Sequence, residues 1–162
     1  MAKAEYQFED FLMNVDDNYK EFANKINEIL LQNSYKVKIE AKASGFFVSY
    51  AHPKTKRSIL NFLFRKKGLL VRVYADNCDK YSNVLNGMPQ KIKAKIEKAS
   101  VCKRLISPQE CNPKCIMGYD FYIGDDRFQK CRYSCFELDV DSESIPFLHE
   151  FITSEIKERL IV

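Results

Sequence analysis

The chain has no tryptophan, only two histidines and only five glycines among its 162 residues. The glycines are scattered, so no phosphate-binding loop of the GxGxxG or GxxxxGK type occurs, and GxSxG and HExxH motifs are also absent. No apolar run reaches the roughly 18–20 residues that cross a bilayer. The charged beginning of the chain does not have the pattern of a signal peptide. We therefore expect a cytoplasmic protein without a membrane span, and no common nucleotide-binding or hydrolase motif suggests an activity.

Apolar residues make up 46% of the chain, and they include twelve Phe and nine Tyr. This proportion is sufficient for a folded aromatic core and too high for a disordered chain. Neither an internal repeat nor a long linker divides the sequence. A chain of this length has the ordinary size of one domain, so residues 1–162 are predicted to form a single domain.

Hydrophobic periodicity predicts an α+β fold. Apolar residues at helical spacing predict N-terminal helices, with Asp16 as an N-cap and the second helix ending near Asn33. The period then changes to two, and short connectors predict a four-stranded antiparallel meander of strands 36–40, 45–50, 58–64 and 69–74. The strand 58–64 is apolar on both faces, which indicates a central strand that is covered on both sides or that lines a ligand cleft on one side.

The C-terminal half is predicted to contain further helices and a hairpin. A central basic helix follows Pro89, which suits a first helical turn, and residues 102–117 form an irregular cysteine-rich loop. Strands 119–123 and 127–140 then form a β-hairpin around residues 124–126. A C-terminal helix begins near Ser144 and carries a clear apolar stripe.

Five of the six cysteines lie between positions 102 and 135, and they include two Cys-x3-Cys pairs separated by 15 residues. In a reducing compartment such cysteines are thiols, metal ligands or reactive groups rather than disulfides. If 127–140 is one strand, Cys131 and Cys135 are about 13 Å apart, whereas sulfur ligands of one zinc ion lie within about 4 Å of each other. The zinc site is therefore predicted to consist of Cys102, Cys111, Cys115 and Cys131.

Two other interpretations of the cysteines stay open. Free cysteine is among the most buried residue types, so the thiols are equally well explained as inert core residues. Basic neighbours such as Lys130 and Arg132 would lower thiol pKa values, which favours metal binding or redox and catalytic chemistry alike.

Charge is unevenly distributed around a formal net value of +4. Residues 36–73 and 90–104 are strongly basic, whereas residues 137–150 contain five acids and no Lys or Arg. Such asymmetry can mark a surface for an anionic partner. The candidate nucleic-acid-binding residues lie on and after the central helix: Lys91, Lys95, Lys98, Lys103 and Arg104. An ordinary solvated helix face explains them equally well.

Two basic turns, 54–57 and 65–68, belong to the predicted meander. Successive turns of a meander lie at opposite ends of the sheet, about 20 Å apart for strands of this length. We therefore expect two separate small patches, each of which simply keeps a turn hydrated.

The segments KVKIEAKASGFFVSY, NFLFRKKGLLVRVY and SVCKRLISPQECNPKCIMGYDFYIGDDRFQKCRYSCFEL resemble a family of small uncharacterised bacterial proteins of Gram-positive type. The Cys-x3-Cys-x2-Gly-Tyr and Gln-Lys-Cys-Arg-Tyr elements carry this resemblance, which implies no particular activity, substrate or cofactor. The helix-plus-meander arrangement is more loosely similar to YdhG/YjbR-like α+β domains.

Two functional hypotheses follow. The first is a non-enzymatic binding or regulatory module, stabilised by zinc, with a basic face for an anionic partner such as nucleic acid. The second is a small-ligand-binding or thiol-dependent enzyme with a reactive cysteine and a cleft against strand 58–64.

Overall fold

The computed structural model describes residues 5–160. Its first helices are α1 (Phe8–Leu12) and α2 (Lys20–Gln32), joined by a 3₁₀ turn, Asp17–Tyr19. The Asp16 carboxylate accepts a hydrogen bond from the Asn18 amide at 2.9 Å and so caps this turn. Helix α2 ends at Gln32 with Asn33 as its C-cap, in agreement with the predicted end near Asn33, and its stripe of Phe22, Ile26 and Leu30 is buried.

The predicted meander is present and forms most of a five-stranded sheet. Its strands are β1 (Lys36–Lys42), β2 (Gly45–Ala51), β3 (Ser58–Arg65) and β4 (Gly68–Val73), each antiparallel to the next. Strand β3 is central and buried from Ile59 to Leu63. The one polar residue there, Asn61, is satisfied because its amide donates to the Tyr74 hydroxyl at 2.9 Å.

The predicted hairpin is correct only in its first half. Strands β5 (Tyr119–Ile123) and β6 (Asp126–Lys130) pair in a separate two-stranded sheet. The chain then turns, because the Cys131 carbonyl accepts the amides of Ser134 at 3.2 Å and Cys135 at 2.9 Å. Strand β7 (Glu137–Asp139) consequently joins the first sheet beside β4, so the prediction of one continuous strand over 127–140 was wrong.

The remaining helices are α3 (Ser82–Asn86), α4 (Gln90–Lys98), α5 (Lys103–Ile106) and α6 (Ile145–Arg159), with 3₁₀ turns at Cys78–Tyr81 and Pro108–Glu110. Pro89 is the N-cap of α4 and precedes its first turn. Helices α1, α2 and α6 lie on one face of the large sheet. The contacts that show this are the ring pairs Phe11–Phe62 (5.4 Å) and Phe136–Phe151 (4.9 Å) and the Tyr50–Asn27 hydrogen bond (2.7 Å).

The order of elements agrees with the predicted α+β fold, with the addition of β7 and α5. None of the helices in residues 5–160 combines the length and apolar character that a bilayer crossing requires.

Candidate functional sites: cysteines, a basic groove and a buried charge network

The four predicted zinc ligands do not converge in the structure. Cys102 is buried, and its sulfur accepts a hydrogen bond from the Gly118 amide at 3.3 Å, while Cys111, Cys115 and Cys131 are partly exposed. Residues 5–160, which include all six cysteines, contain no group of three or more His, Cys, Asp or Glu side chains that could hold a metal ion. Zinc binding by this set stays a prediction, which metal analysis of the chain purified without chelator would test.

Two further thiols, Cys78 and Cys135, are buried and are not part of the zinc prediction. Burial raises the pKa of both thiols well above the usual value for cysteine, and for Cys135 the positive charge of Lys130 offsets only part of this effect. Because the thiolate is the nucleophile, these two cysteines are poor candidates for thiol chemistry.

The basic residues that were expected to activate thiols have other partners. The Lys130 ammonium donates to the Glu97 and Ala99 carbonyls, each at 2.9 Å. The Arg104 guanidinium donates to the Asn112 and Pro113 carbonyls at 3.3 and 3.0 Å and so holds the cysteine-rich loop against α5. Arg104, one of the predicted nucleic-acid contacts, thus also has an intramolecular role.

Most lysines of α4 form ion pairs. Lys91 pairs with Asp141, Lys95 with Asp139 at 3.6 Å and Lys93 with Asp126 at 3.3 Å. Two of these carboxylates belong to the acidic stretch 137–150. The charge asymmetry seen in the sequence therefore results partly from a basic helix lying beside an acidic segment, which lowers the charge available to a partner.

A basic groove nevertheless forms where α4 meets the β3–β4 turn. The groove has a volume of about 590 Å³, with Leu70 and Ala94 among its walls. Its basic side chains, which we call the groove cations, are Arg65, Lys66, Lys67, Lys91, Lys95 and Lys98. Turn 65–68 lies beside the lysines of α4, whereas the other basic turn, 54–57, contributes Thr55 and Arg57 to a different cavity, as the predicted separation of the two turns requires. Lys103 and Arg104 do not line the groove.

Within the described part of the chain, three of the groove cations lack a carboxylate partner. Arg65 pairs with Glu137 at 2.9 Å, and Lys91 and Lys95 have the partners given above. Within residues 5–160, no carboxylate lies within 4.0 Å of the ammonium nitrogens of the other three, which are Lys66, Lys67 and Lys98. These three positive charges remain available to an anion.

A second cluster of charges was not predicted from the sequence. The Asp76 carboxylate accepts hydrogen bonds from Arg132 at 2.7 Å, Arg57 at 3.0 Å and Arg159 at 3.2 Å. The Arg132 guanidinium is also placed over the rings of Tyr74 and Tyr119. Burial by itself would raise the pKa of Asp76, but the hydrogen bonds and charges of the three arginines outweigh this effect and lower the pKa below the usual range.

Glu155 extends this cluster into the core. Its side chain is fully buried and accepts four hydrogen bonds: from the Asn77 amide and side chain, the Tyr81 hydroxyl and the Arg159 guanidinium. We call Asp76, Glu155 and the three arginines around them the charge network. A signal for Glu155 was present in the sequence, because it follows Phe151 by four residues and Ile152 by three and so shares the apolar stripe of α6.

Comparison of the chain with protein-family models, with curated proteins and with solved structures found no match.

Proposed function

We propose that the protein is a non-enzymatic binding module that holds the phosphate backbone of a nucleic acid in the basic groove. The observation that carries this proposal is the convergence of Lys66 and Lys67, from the β3–β4 turn, with Lys98, from the end of α4. Isolated surface lysines are common, but three without carboxylate partners beside one concave surface create a local positive potential.

The groove favours phosphates over bases. Its charges are mostly ammonium groups, which contact phosphates as point charges without reading base edges. Among the residues that the structure describes, no aromatic side chain on which a base could stack lines the groove. Binding is therefore expected to be largely independent of base sequence and strongly dependent on salt.

The magnitude of the salt dependence follows from the number of groove cations. If three to six of them neutralise phosphates, raising the salt from about 50 to about 200 mM weakens duplex binding roughly 40- to 2,000-fold. The slope of the logarithm of the binding constant against the logarithm of the salt concentration would measure how many groove cations contact phosphates.

The test compares two variants with the same change in net charge. The groove variant carries Lys66→Glu, Lys67→Glu and Lys98→Glu. The control variant replaces three exposed lysines outside the groove: Lys25, Lys36 and Lys54. Fluorescence anisotropy with single-stranded DNA, duplex DNA and RNA, at about 50 mM salt, should show that the groove variant loses binding by more than about tenfold relative to the control.

Three results would overturn the proposal. The first is absence of binding to every nucleic acid at low salt. The second is equal weakening in the two variants, which would show that only net charge matters. The third is binding to anionic lipid vesicles without binding to nucleic acids, which would assign the groove to a membrane surface.

A further inference from the structure

A second cavity lies at the other end of the large sheet from the basic groove. It has a volume of about 520 Å³, which is within the usual size range of small-molecule pockets. It is located where β2 ends, β3 begins and β4 ends, against the last turn of α6. The lining side chains relevant to binding are Tyr35, His52, Arg57, Asp76, Asn77 and Arg159.

Of the two arginines of this cavity, Arg57 has unused donors. Arg57 uses only one terminal nitrogen, on Asp76, and its side chain is 46% exposed. Arg159 uses its Nε on Glu155 and its Nη2 on Asp76 and the Tyr74 carbonyl. Among residues 5–160 nothing accepts a hydrogen bond from Nε or Nη1 of Arg57, whereas the Arg159 guanidinium also has the Tyr35 hydroxyl as a partner.

Two further donors line the same cavity. The His52 Nδ1 accepts hydrogen bonds from the amides of Lys54 at 3.2 Å and Thr55 at 3.4 Å, which places the proton of the neutral ring on Nε2. The Tyr35 ring contacts the His52 ring edge-on, with centroids 5.6 Å apart. Burial raises the pKa of Tyr35, while the charge of Arg159 and its hydrogen bond to the hydroxyl oxygen act in the opposite direction. The hydroxyl therefore stays protonated and can donate near neutral pH.

The charge network beside this cavity carries an excess positive charge. Within residues 5–160, three guanidinium groups, from Arg57, Arg132 and Arg159, face two carboxylates, from Asp76 and Glu155. Asp76 and Arg159 expose only 18% and 13% of their side chains, so water screens this excess poorly. One anion in the cavity would balance it and accept hydrogen bonds from the unused guanidinium donors.

The walls of the cavity also include apolar surface. The Tyr35 and His52 rings and the Leu160 side chain contribute it, and a ligand with an organic body would cover this surface. We propose that this cavity binds a small organic oxyanion, a carboxylate or a phosphate monoester, whose anionic group contacts Arg57 and Arg159. This site is independent of the basic groove, because the two share no lining residue.

The experiment is an NMR titration of the ¹⁵N-labelled chain with four probes: benzoate, phenyl phosphate, inorganic phosphate and the neutral analogue benzamide. Saturable shifts of the Lys54, Thr55 and Asn77 amides are expected with the two organic anions. Benzamide should leave these amides unchanged, and inorganic phosphate should bind more weakly than phenyl phosphate because it covers no apolar wall. The tighter of the two organic anions identifies the preferred oxyanion.

Arg57→Gln tests the role of the guanidinium. Because Arg57 is exposed, this variant should fold normally, and the loss of a charged hydrogen-bond donor should weaken binding about tenfold. Arg127→Gln is the matched control, since Arg127 is similarly exposed and paired with a carboxylate, Asp120, but lies outside the cavity. Nucleic-acid binding by the groove should be the same in both variants.

The inference fails if no organic anion shifts these amides at about 10 mM. It also fails if benzamide binds as well as benzoate, or if Arg57→Gln and Arg127→Gln bind the anions equally.

Discussion

Replacement of Glu155 by Gln is the sharpest test of the buried charge network. Gln has nearly the same shape as Glu, so the packing of α6 is retained and the change is electrostatic. The new amide group has to replace one of the two carboxylate oxygens. If it replaces Oε2, it meets the donors of the Asn77 side chain and Arg159, and if it replaces Oε1, it meets the Asn77 backbone amide.

The expected loss of stability is about 3 kcal/mol. Breaking a buried ion pair by neutralising one partner typically costs about 3–5 kcal/mol. The lower end applies here because the Arg159 guanidinium keeps its contacts with Asp76 at 3.2 Å and the Tyr74 carbonyl at 2.7 Å. For a chain of this length, this loss corresponds to a decrease in Tm of roughly 6–12 °C.

Urea unfolding followed by far-UV circular dichroism and tyrosine fluorescence measures this loss, since the chain has nine Tyr and no Trp. Glu150→Gln is the matched control, because Glu150 is exposed on the same helix and forms no ion pair within residues 5–160. The free energy of unfolding of the control should lie within about 0.5 kcal/mol of the wild-type value. If Glu155→Gln unfolds at the same midpoint as Glu150→Gln, the charge network does not stabilise the fold as described.

Three further predictions concern acid stability, packing and thiol reactivity. Because the folded-state pKa of Asp76 is lowered, its ion pairs stabilise the fold above about pH 4, and this contribution is lost as the pH falls through that pKa. Urea unfolding between pH 7 and pH 3 should therefore show that the free energy of unfolding decreases less for Asp76→Asn than for the wild type. An equal decrease in both would contradict the lowered pKa of Asp76. Gly118→Ala should lower the free energy of unfolding by about 3 kcal/mol or more, because the added Cβ would lie 2.2 Å from the Lys130 carbonyl oxygen. Gly87→Ala, whose Cβ would meet nothing closer than 3.5 Å, is the control for the loss of glycine, and similar thermal shifts in the two variants would refute the clash. Alkylation of the native chain, followed by mass spectrometry, should modify the partly exposed thiols of the cysteine-rich segment first and the buried ones last. The slow group is Cys78, Cys102 and Cys135, and fast modification of any of them would contradict their burial.

Local patterns were sufficient to predict the elements that depend on local interactions. The spacing of Phe22, Ile26 and Leu30 predicted both α2 and the face that it buries, because residues three and four apart share one side of a helix. The apolar strand 58–64 was predicted to be central because both of its faces carry large side chains, and it is the middle strand of the sheet. Short connectors predicted the antiparallel order of the first four strands.

The predictions failed where pairing joins distant segments. Residues 127–140 read as one strand, but Cys131–Cys135 forms a turn and Glu137 pairs with Arg72, which is 65 residues earlier in the chain. Nothing in the local sequence marks this turn, because its residues include neither Gly nor Pro. Strand β7 instead pairs with β4, whose edge offers unpaired backbone hydrogen-bonding groups.

The sequence by itself determined the fold class, the central strand, the apolar faces of the helices and the basic character of α4, because these depend on residue type and on spacing along the chain. Tertiary structure alone decided which charges are available. It neutralised Lys91 and Lys95 with carboxylates about 45–50 residues away, brought Lys66 and Lys67 beside Lys98, and surrounded Asp76 with arginines from three separate segments. The physical reason is that electrostatic interaction depends on distance and burial in three dimensions, and neither quantity is encoded in the local spacing of charged residues.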